Sequence, residues 1–522
     1  MDFLIHHMLR SSAARYPRKQ ALVNGSQRLT YFEVESCVNA LADGLNGAGL
    51  ERGDRLGILL EPSLPQALSI FAASKANAVF VPINHLLFPD QVAHIVNDCR
   101  MKGLITTRSK LSTLLPVLKQ TSLSFVVLLR DEGSAAEVDL PEFVFEDLCA
   151  AEVPAKRDLC IEKDLAAILY TSGSTGKPKG VMLTHGQIMA GASSVSTYLE
   201  ITSNERILAV LPFSFDAGLN QIMTAFQQGA TLVMTTFSFA RELVQILANE
   251  QITGLAGVPT LWALLAQPQS TLHKTPLPHL RYITNTGGAM PQSVLAALRK
   301  VLPVTQIFLM YGFTEAFRAT YLPPAELDRR PTSIGKAIPG SEIMVINEQG
   351  QLCKPGEVGE LVQRGPTVSL GYWERPELTA LMFRPHPFIP AEHRDGERVC
   401  YSGDLVNTDE EGFLYFVGRR DTMIKSSGYR ISPTEVEEVL FQSGRIRGAA
   451  VIGIPDELIG QHIKAFVVPK EPEFTDSEEL SAFCAERVPR YMIPKAIEYL
   501  NELPKTSSGK VDYQALRKRE GL

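Results

Sequence analysis

The amino-acid sequence predicts an α/β protein: a large N-terminal domain of doubly wound sheets, a β-rich subdomain within it, and a small α+β C-terminal domain. Three observations carry this. From about residue 20 to residue 320 short apolar runs alternate with amphipathic stretches, the pattern of open, largely parallel sheets covered by helices on both faces. Between 333 and 420 Gly and Pro become dense (IGKAIPG, KPGEVGE, RGPTVSLGYW) and short alternating strands replace helices. After Asp421 helical and strand patterns mix again in a stretch of roughly a hundred residues. The expected domains are 1–420, containing the β-rich 333–420, and 421–522.

In chain order, Arg55–Leu60, Ala78–Ile83, Leu165–Tyr170, Ile207–Leu211, Thr231–Met234, Leu280–Thr284 and Gln306–Met310 read as buried strands. Tyr31–Ala48 reads as a helix opened by a capping box of Thr30 and Glu33. In the last part a helix is expected at Pro433–Phe441, strands at Ala449–Ile454 and Lys464–Val468, and a helix at Ser477–Val488. His6 and His7 are expected on polar faces of a short first helix.

The 522 residues are 45% apolar and 21% charged, ordinary for a globular protein, and the net charge of −6 offers no basic face for nucleic acid or an anionic membrane. Seven scattered cysteines without a C-x-x-C pair read as reduced thiols. The opening MDFLIHHMLRSSAARYP is too short in apolar residues for a signal peptide, and no apolar run is long enough to span a bilayer. A cytoplasmic protein without membrane insertion is expected.

The strongest local signal is LAAILYTSGSTGKPKGVMLTH, residues 165–185. A buried strand enters a loop with Thr171, Ser172, Gly173, Ser174, Thr175, Gly176 and Lys179. Glycines let the backbone turn its N–H groups inward, hydroxyls add donors, and lysine adds charge, which suits phosphate oxygens. It is not a Walker A loop, because position 171 is Thr and Pro178 follows Lys177.

With this loop, and with TNTGGAM (284–290), MYGFTEA (310–316), YSGDL, FVGRRD and LPKTSSGKV (503–511) following in order, the chain resembles the adenylate-forming enzymes. That superfamily includes acyl-CoA synthetases, amino-acid adenylation domains and luciferases. The resemblance spans nearly the whole chain and implies ATP and Mg²⁺ as cofactors. It implies that Thr314 touches the α-phosphate, that Glu315 holds Mg²⁺, and that Gly287, Gly288 and Ala289 form a flat wall for adenine. Met310, Tyr311, Gly312 and Phe313 complete the nucleotide pattern. Asp404 and Arg419, with Phe416 beside them, suit ribose hydroxyls. Asp421 is implied as the hinge of a mobile C-terminal domain, and Lys510 as the lysine that enters the site during adenylation and offsets anionic charge.

The expected reaction is attack of a small carboxylic acid on the α-phosphate, followed by transfer of the acyl group to a thiol. LPFSFDAGLNQIMTAF (211–226) carries Phe215-Asp216 as amino-acid adenylation domains do. Asp216 could meet a substrate ammonium, cap the helix Ala217–Gln228, or pair with Arg318; Asn220 and Thr286 are further candidates for the acid pocket. The wording of 207–335 is similar to stand-alone ligases that load an amino acid, L-proline in some cases, onto a carrier protein, and to acyl-CoA ligases associated with exosortase systems. The favoured expectation is therefore an amino acid loaded onto a separate carrier protein, none being encoded before Leu522. An acyl-CoA synthetase using CoA is the alternative, and a non-catalytic nucleotide sensor a third reading that Lys510, Glu315 and Asp404 together oppose.

Overall fold

Each of the seven apolar runs of the first 320 residues overlaps a strand, from Arg55–Ile58 through Val79–Pro82, Leu165–Thr171, Arg206–Ala209, Thr231–Met234 and Tyr282–Asn285 to Gln306–Tyr311. The computed structural model describes residues 2–118, 121–130, 140–150, 158–171, 178–393, 396–420, 422–426, 429–456, 459–488, 490–506 and 509–522. Helix Tyr31–Gly47 starts as its sequence dictates. Thr30 Oγ1 accepts from the Glu33 N–H and the Glu33 carboxylate accepts from the Thr30 N–H at 2.7 Å, so two otherwise orphaned donors of the first turn are met.

Among the described residues the strands form sheets of eight, fourteen and five. The first sheet has a parallel centre of Val79–Pro82, Arg55–Ile58, Gly103–Thr106 and Phe125–Leu128. Leu165–Thr171 lies parallel beside Val79–Pro82 and pairs antiparallel with Lys179–Thr184. The second sheet is parallel from Gln20–Asn24 across Thr231–Met234, Arg206–Ala209, Gly254–Gly257 and Tyr282–Asn285 to Gln306–Tyr311. The ladder then continues antiparallel through Thr320–Leu322 and Ser333–Ala337 into the β-rich stretch.

One apolar core lies between these sheets, with Leu56 and Phe80 from the first and Leu232 and Phe308 from the second. Phe71 and Phe226, on helices Leu64–Lys75 and Asp216–Gln228, stack within it at 4.6 Å between centroids. Each such side chain contributes about 1.5–3 kcal/mol by leaving water, so the strand ends above this core rest on a rigid base. The five-stranded sheet carries helices Pro433–Gln442 and Ser477–Ala485 against a core of its own that includes Val436, Leu440, Val467 and Leu480.

The first helix, Ile5–Arg15, corrects one expectation. His6 and His7 are not on polar faces but buried, at 3% and 0% exposure. Their Nε2 atoms lie 2.8 and 2.9 Å from the two oxygens of Asp158, and Lys75 Nζ lies 2.9 Å from the same carboxylate. A buried polar side chain is stable only with partners, and nothing in the local pattern places Asp158 beside a helix 150 residues upstream.

Candidate active site

The phosphate loop spans a hairpin whose last register pair is Thr171↔Lys179. Ser172, Gly173, Ser174, Thr175 and Gly176 lie outside the described residues. Lys179 Nζ donates to the Tyr372 hydroxyl at 2.7 Å and sits 3.6 Å from Glu315. The Tyr372 hydroxyl in turn donates to Glu315 Oε1 at 2.5 Å. Burial lowers the pKa of Lys179, opposed by the Glu315 carboxylate, while burial and Glu315 raise that of Tyr372. The phenol therefore stays a donor at neutral pH.

Tyr372 escaped the sequence reading. It lies in a two-residue strand that pairs with Val181, and RGPTVSLGYW reads as a turn-rich stretch in which it is one more aromatic. Its one available signal was the GYW cluster itself, which does not reveal that the hydroxyl meets both Lys179 and Glu315.

Thr286, Gly287 and Met310–Phe313 follow or end two adjacent parallel strands, Tyr282–Asn285 and Gln306–Tyr311, where open α/β sheets place ligands. Thr286 N–H donates to Gly257 at 3.0 Å, and Asn285 Nδ2 donates to the Gly288 carbonyl at 2.8 Å. Gly287 has φ +78°, a backbone state glycine enters without strain. Gly288 and Ala289 are exposed. Thr314 and Glu315 form a single 3-10 turn, Thr314–Ala316.

Asp404 and Arg419 are register partners in adjacent strands, with Arg419 Nε 3.4 Å from the carboxylate. The Tyr311 hydroxyl also donates to Asp404 Oδ2, and the Tyr311 and Phe416 rings are 6.2 Å apart. Lys510 comes from the far end of the chain. Its Cε lies 3.5 Å from the point where a β-carbon on Gly287 would stand, so a lysine 223 positions downstream touches the TNTGGAM turn. Asp421 lies outside the described residues.

The geometry at Asp216 bears on its three readings. The helix begins at Asp216 itself and its N-cap is Phe215, which corrects the expected start at Ala217 and puts Asp216 inside the first turn, not at the cap. Gly229 ends the helix at φ +72°, as expected. The Asp216 carboxylate faces Arg318 Nη1 at 3.4 Å, and Arg318 is 4% exposed. A carboxylate already opposite a buried guanidinium has less need of a substrate ammonium. Gly218, which replaces the serine of the usual Phe-Asp-x-Ser, has no room for a side chain: a β-carbon there would lie 2.0 Å from the Pro212 carbonyl oxygen. Asn220, Thr286, Met310 and Arg318 line one pocket.

Residues 9–373 match the family described as AMP-binding enzyme, and residues 435–510 match the AMP-binding enzyme C-terminal domain. The chain is 31% identical to a long-chain-fatty-acid–CoA ligase of Escherichia coli O157:H7, over 98% of this chain and 93% of that protein. It is 32% identical to a linear gramicidin synthase of Brevibacillus parabrevis, over 98% of this chain and 10% of that protein. The anthranilate CoA ligase AuaEII in complex with anthranoyl-AMP superposes with a TM-score of 0.87 at 26% identity, over 99% of this chain and 98% of that one. The o-succinylbenzoate CoA synthetase of Bacillus subtilis, in complex with ATP and magnesium ion, gives a TM-score of 0.83 at 26% identity, over 98% and 99%.

Proposed function

The chain belongs to the AMP-binding enzyme family of adenylate-forming ligases, and from that premise we propose that it is an acyl-CoA synthetase: it activates a carboxylic acid as the acyl-adenylate and transfers the acyl group to coenzyme A. The observation that carries the adenylation half is the approach of Lys510 to Gly287, because a surface lysine has no other reason to meet that turn. CoA as the acceptor is favoured over a carrier protein by the relatives. A CoA ligase is matched over 93% of its length, whereas the gramicidin synthase is matched over 10%. The Asp216–Arg318 pair likewise speaks against the amino-acid substrate that Phe215-Asp216 led us to expect.

In the first half-reaction a carboxylate oxygen attacks the α-phosphorus, the bond to the bridging oxygen breaks and pyrophosphate leaves. Thr171, the loop 172–176 and Lys179 bind the departing phosphates, and Thr314 orients the α-phosphate. Lys510 places its ammonium between substrate carboxylate and phosphate, reducing the repulsion of two anions as they meet. Asp404 and Arg419 hold the ribose, and Gly287, Gly288 and Ala289 leave a flat face for adenine. Glu315 is a hard oxygen donor, 13% exposed and held by the Tyr372 hydroxyl, which fits a Mg²⁺ ligand. When bound, that ion supplies neutralising charge to the phosphates. In the second half-reaction the C-terminal domain turns about Asp421, the CoA sulfur attacks the acyl carbon, and AMP leaves.

The test is AMP release that requires an acid and CoA together. Release with CoA and none with a phosphopantetheinylated carrier protein is the expected result; the reverse would return the enzyme to the carrier-loading class.

A further inference from the structure

The helix Pro89–Asp98 sends two polar side chains, one turn apart, to opposite ends of the phosphate loop. Its apolar face, Val92, Ile95 and Val96, packs with Val79, Leu104 and Ile168 of the first sheet, so the helix is anchored without them. His94 Nε2 lies 3.0 Å from the carbonyl oxygen of Pro178. The carbonyl can only accept, so this ring nitrogen carries the proton and donates. Asp98 stands four residues on, the spacing that puts two side chains on one helix face. Its carboxylate accepts from the Tyr170 hydroxyl at 2.7 Å.

Asp98 also reaches the stretch that carries Tyr372. Its second carboxylate oxygen accepts from Arg375 Nη2 at 2.5 Å, and its backbone carbonyl accepts from Trp373 Nε1 at 3.1 Å. The Trp373 backbone N–H donates in turn to the Gly180 carbonyl at 2.8 Å. The Asp98 side chain is 7% exposed, and a carboxylate so nearly buried is stable only with donors such as these. Burial raises the pKa of Tyr170, so its phenol remains the donor. The partners share one location: Tyr170 precedes Thr171, Pro178 precedes Lys179, and Trp373 and Arg375 follow Tyr372. Each adjoins a group on the phosphate side of the site.

We propose that His94 and Asp98 are positioning residues for adenylation, holding Pro178 and Tyr170 so that Lys179 and Thr171 face the β- and γ-phosphates of ATP. This rests on the acyl-adenylation reading and adds to it two residues that act through others. His94 acts through the backbone at Pro178, and Asp98 acts through the strand end at Tyr170. The consequence is selective. The β- and γ-phosphates are present in ATP and absent from AMP and from the acyl-adenylate. Misplacing the loop ends therefore weakens the first half-reaction and spares the second, whereas a defect of the fold weakens both.

The test compares the full-length parent with His94→Ala, His94→Gln and Tyr170→Phe. It measures pyrophosphate–ATP exchange with acetate, benzoate, ferulate and hexadecanoate, and acyl transfer from the pre-made adenylate of the best of these acids to CoA. Calorimetry separately measures binding of AMP and of a non-hydrolysable ATP analogue. In His94→Ala and Tyr170→Phe, kcat/KM for ATP should fall by roughly 10–100-fold, the scale set by a misplacement of about 1 Å. Affinity for the analogue should fall with it, while AMP binding and acyl transfer stay unchanged. His94→Gln, whose amide can donate to the same carbonyl, should recover most of the loss. Equal falls for AMP and the analogue, or a full retention of exchange and analogue binding, would overturn the assignment while upholding adenylation in a parent that exchanges. Selective loss of the analogue in variants of a parent that shows no exchange would uphold the positioning role and overturn adenylation. A parent that neither exchanges nor binds the analogue would overturn both.

Discussion

The Tyr372 hydroxyl donates to Glu315 at 2.5 Å while accepting from Lys179 at 2.7 Å, so one phenol joins the end of the phosphate hairpin to the Thr314–Ala316 turn. Lys179 begins a strand of the first sheet, Glu315 lies in the turn that follows Gln306–Tyr311 of the second, and their charged groups are 3.6 Å apart.

Tyr372→Phe therefore disturbs Glu315 without touching its carboxylate. Loss of a partner that orients a metal ligand typically costs 10–100-fold in metal affinity or activity. The half-saturating Mg²⁺ concentration for pyrophosphate exchange should rise about tenfold, with ATP binding in the absence of metal little changed. An unaltered Mg²⁺ dependence would remove Tyr372 from the site.

Lys510→Ala should reduce adenylation by about 10²–10³-fold yet spare transfer of the acyl group from pre-made acyl-adenylate to CoA. The two half-reactions are read by exchange and by acyl-CoA formation. Equal loss in both would mean that Lys510 serves folding or CoA binding instead.

Asp216→Ala leaves the Arg318 guanidinium buried without its carboxylate partner, which should lower unfolding stability by about 1–3 kcal/mol. Adding Arg318→Met should recover much of the loss, since the unpaired charge is then gone. If the single variant instead kept its stability and lost exchange with an amino acid, the ion pair would be secondary to an ammonium site.

Acid should loosen the N-terminal helix. Burial lowers the pKa of His6 from its ordinary 6.5 to about 4, and the hydrogen bond from His6, with those from Lys75 and His7, holds Asp158 well below the carboxylate range. Both folded-state values are depressed, so the unfolded chain binds more protons and stability falls as pH drops from about 6.5 toward 4. For His6 this is worth on the order of 3 kcal/mol. Thermal unfolding at pH 7 and pH 5 should show a smaller acid loss in His6→Gln than in the parent.

The C-terminal domain should respond in the opposite direction. Glu437 is buried and accepts from Tyr513 at 2.7 Å and from the Val451 N–H at 2.8 Å, and burial raises its pKa from 4.5 to about 7. Its stabilising contribution is complete below 4.5 and is lost as pH rises through 7, when the buried carboxyl ionises. Tyr513 stands three residues after Lys510, so this titration bears on the tail that carries the lysine. Glu437→Gln should unfold at a higher temperature than the parent at pH 8 and close to it at pH 5; identical curves would mean the carboxyl titrates as an exposed one.

Where one stretch of chain determines its own structure, the sequence was sufficient. The capping box at Thr30 and Glu33, the bounds of Thr231–Met234 and the stop at Gly229 depend on neighbours a few residues away. The strand Leu165–Thr171 was legible for the same reason, whereas the returning strand Lys179–Thr184, which makes a hairpin of it, was not expected. The family followed from the order of the motifs along the chain.

What only the tertiary structure decided are relations between residues far apart. Asp158 meets His6 across 152 positions, Tyr372 meets Lys179 across 193, and Arg318 meets Asp216 across 102. No local periodicity encodes such distances, because a side chain's partner is set by which strand ends the packed core brings together. At Asp216 the aspartate alone permits an ammonium site, a helix cap or an ion pair, and only the tertiary structure brings the buried Arg318 to within 3.4 Å of its carboxylate.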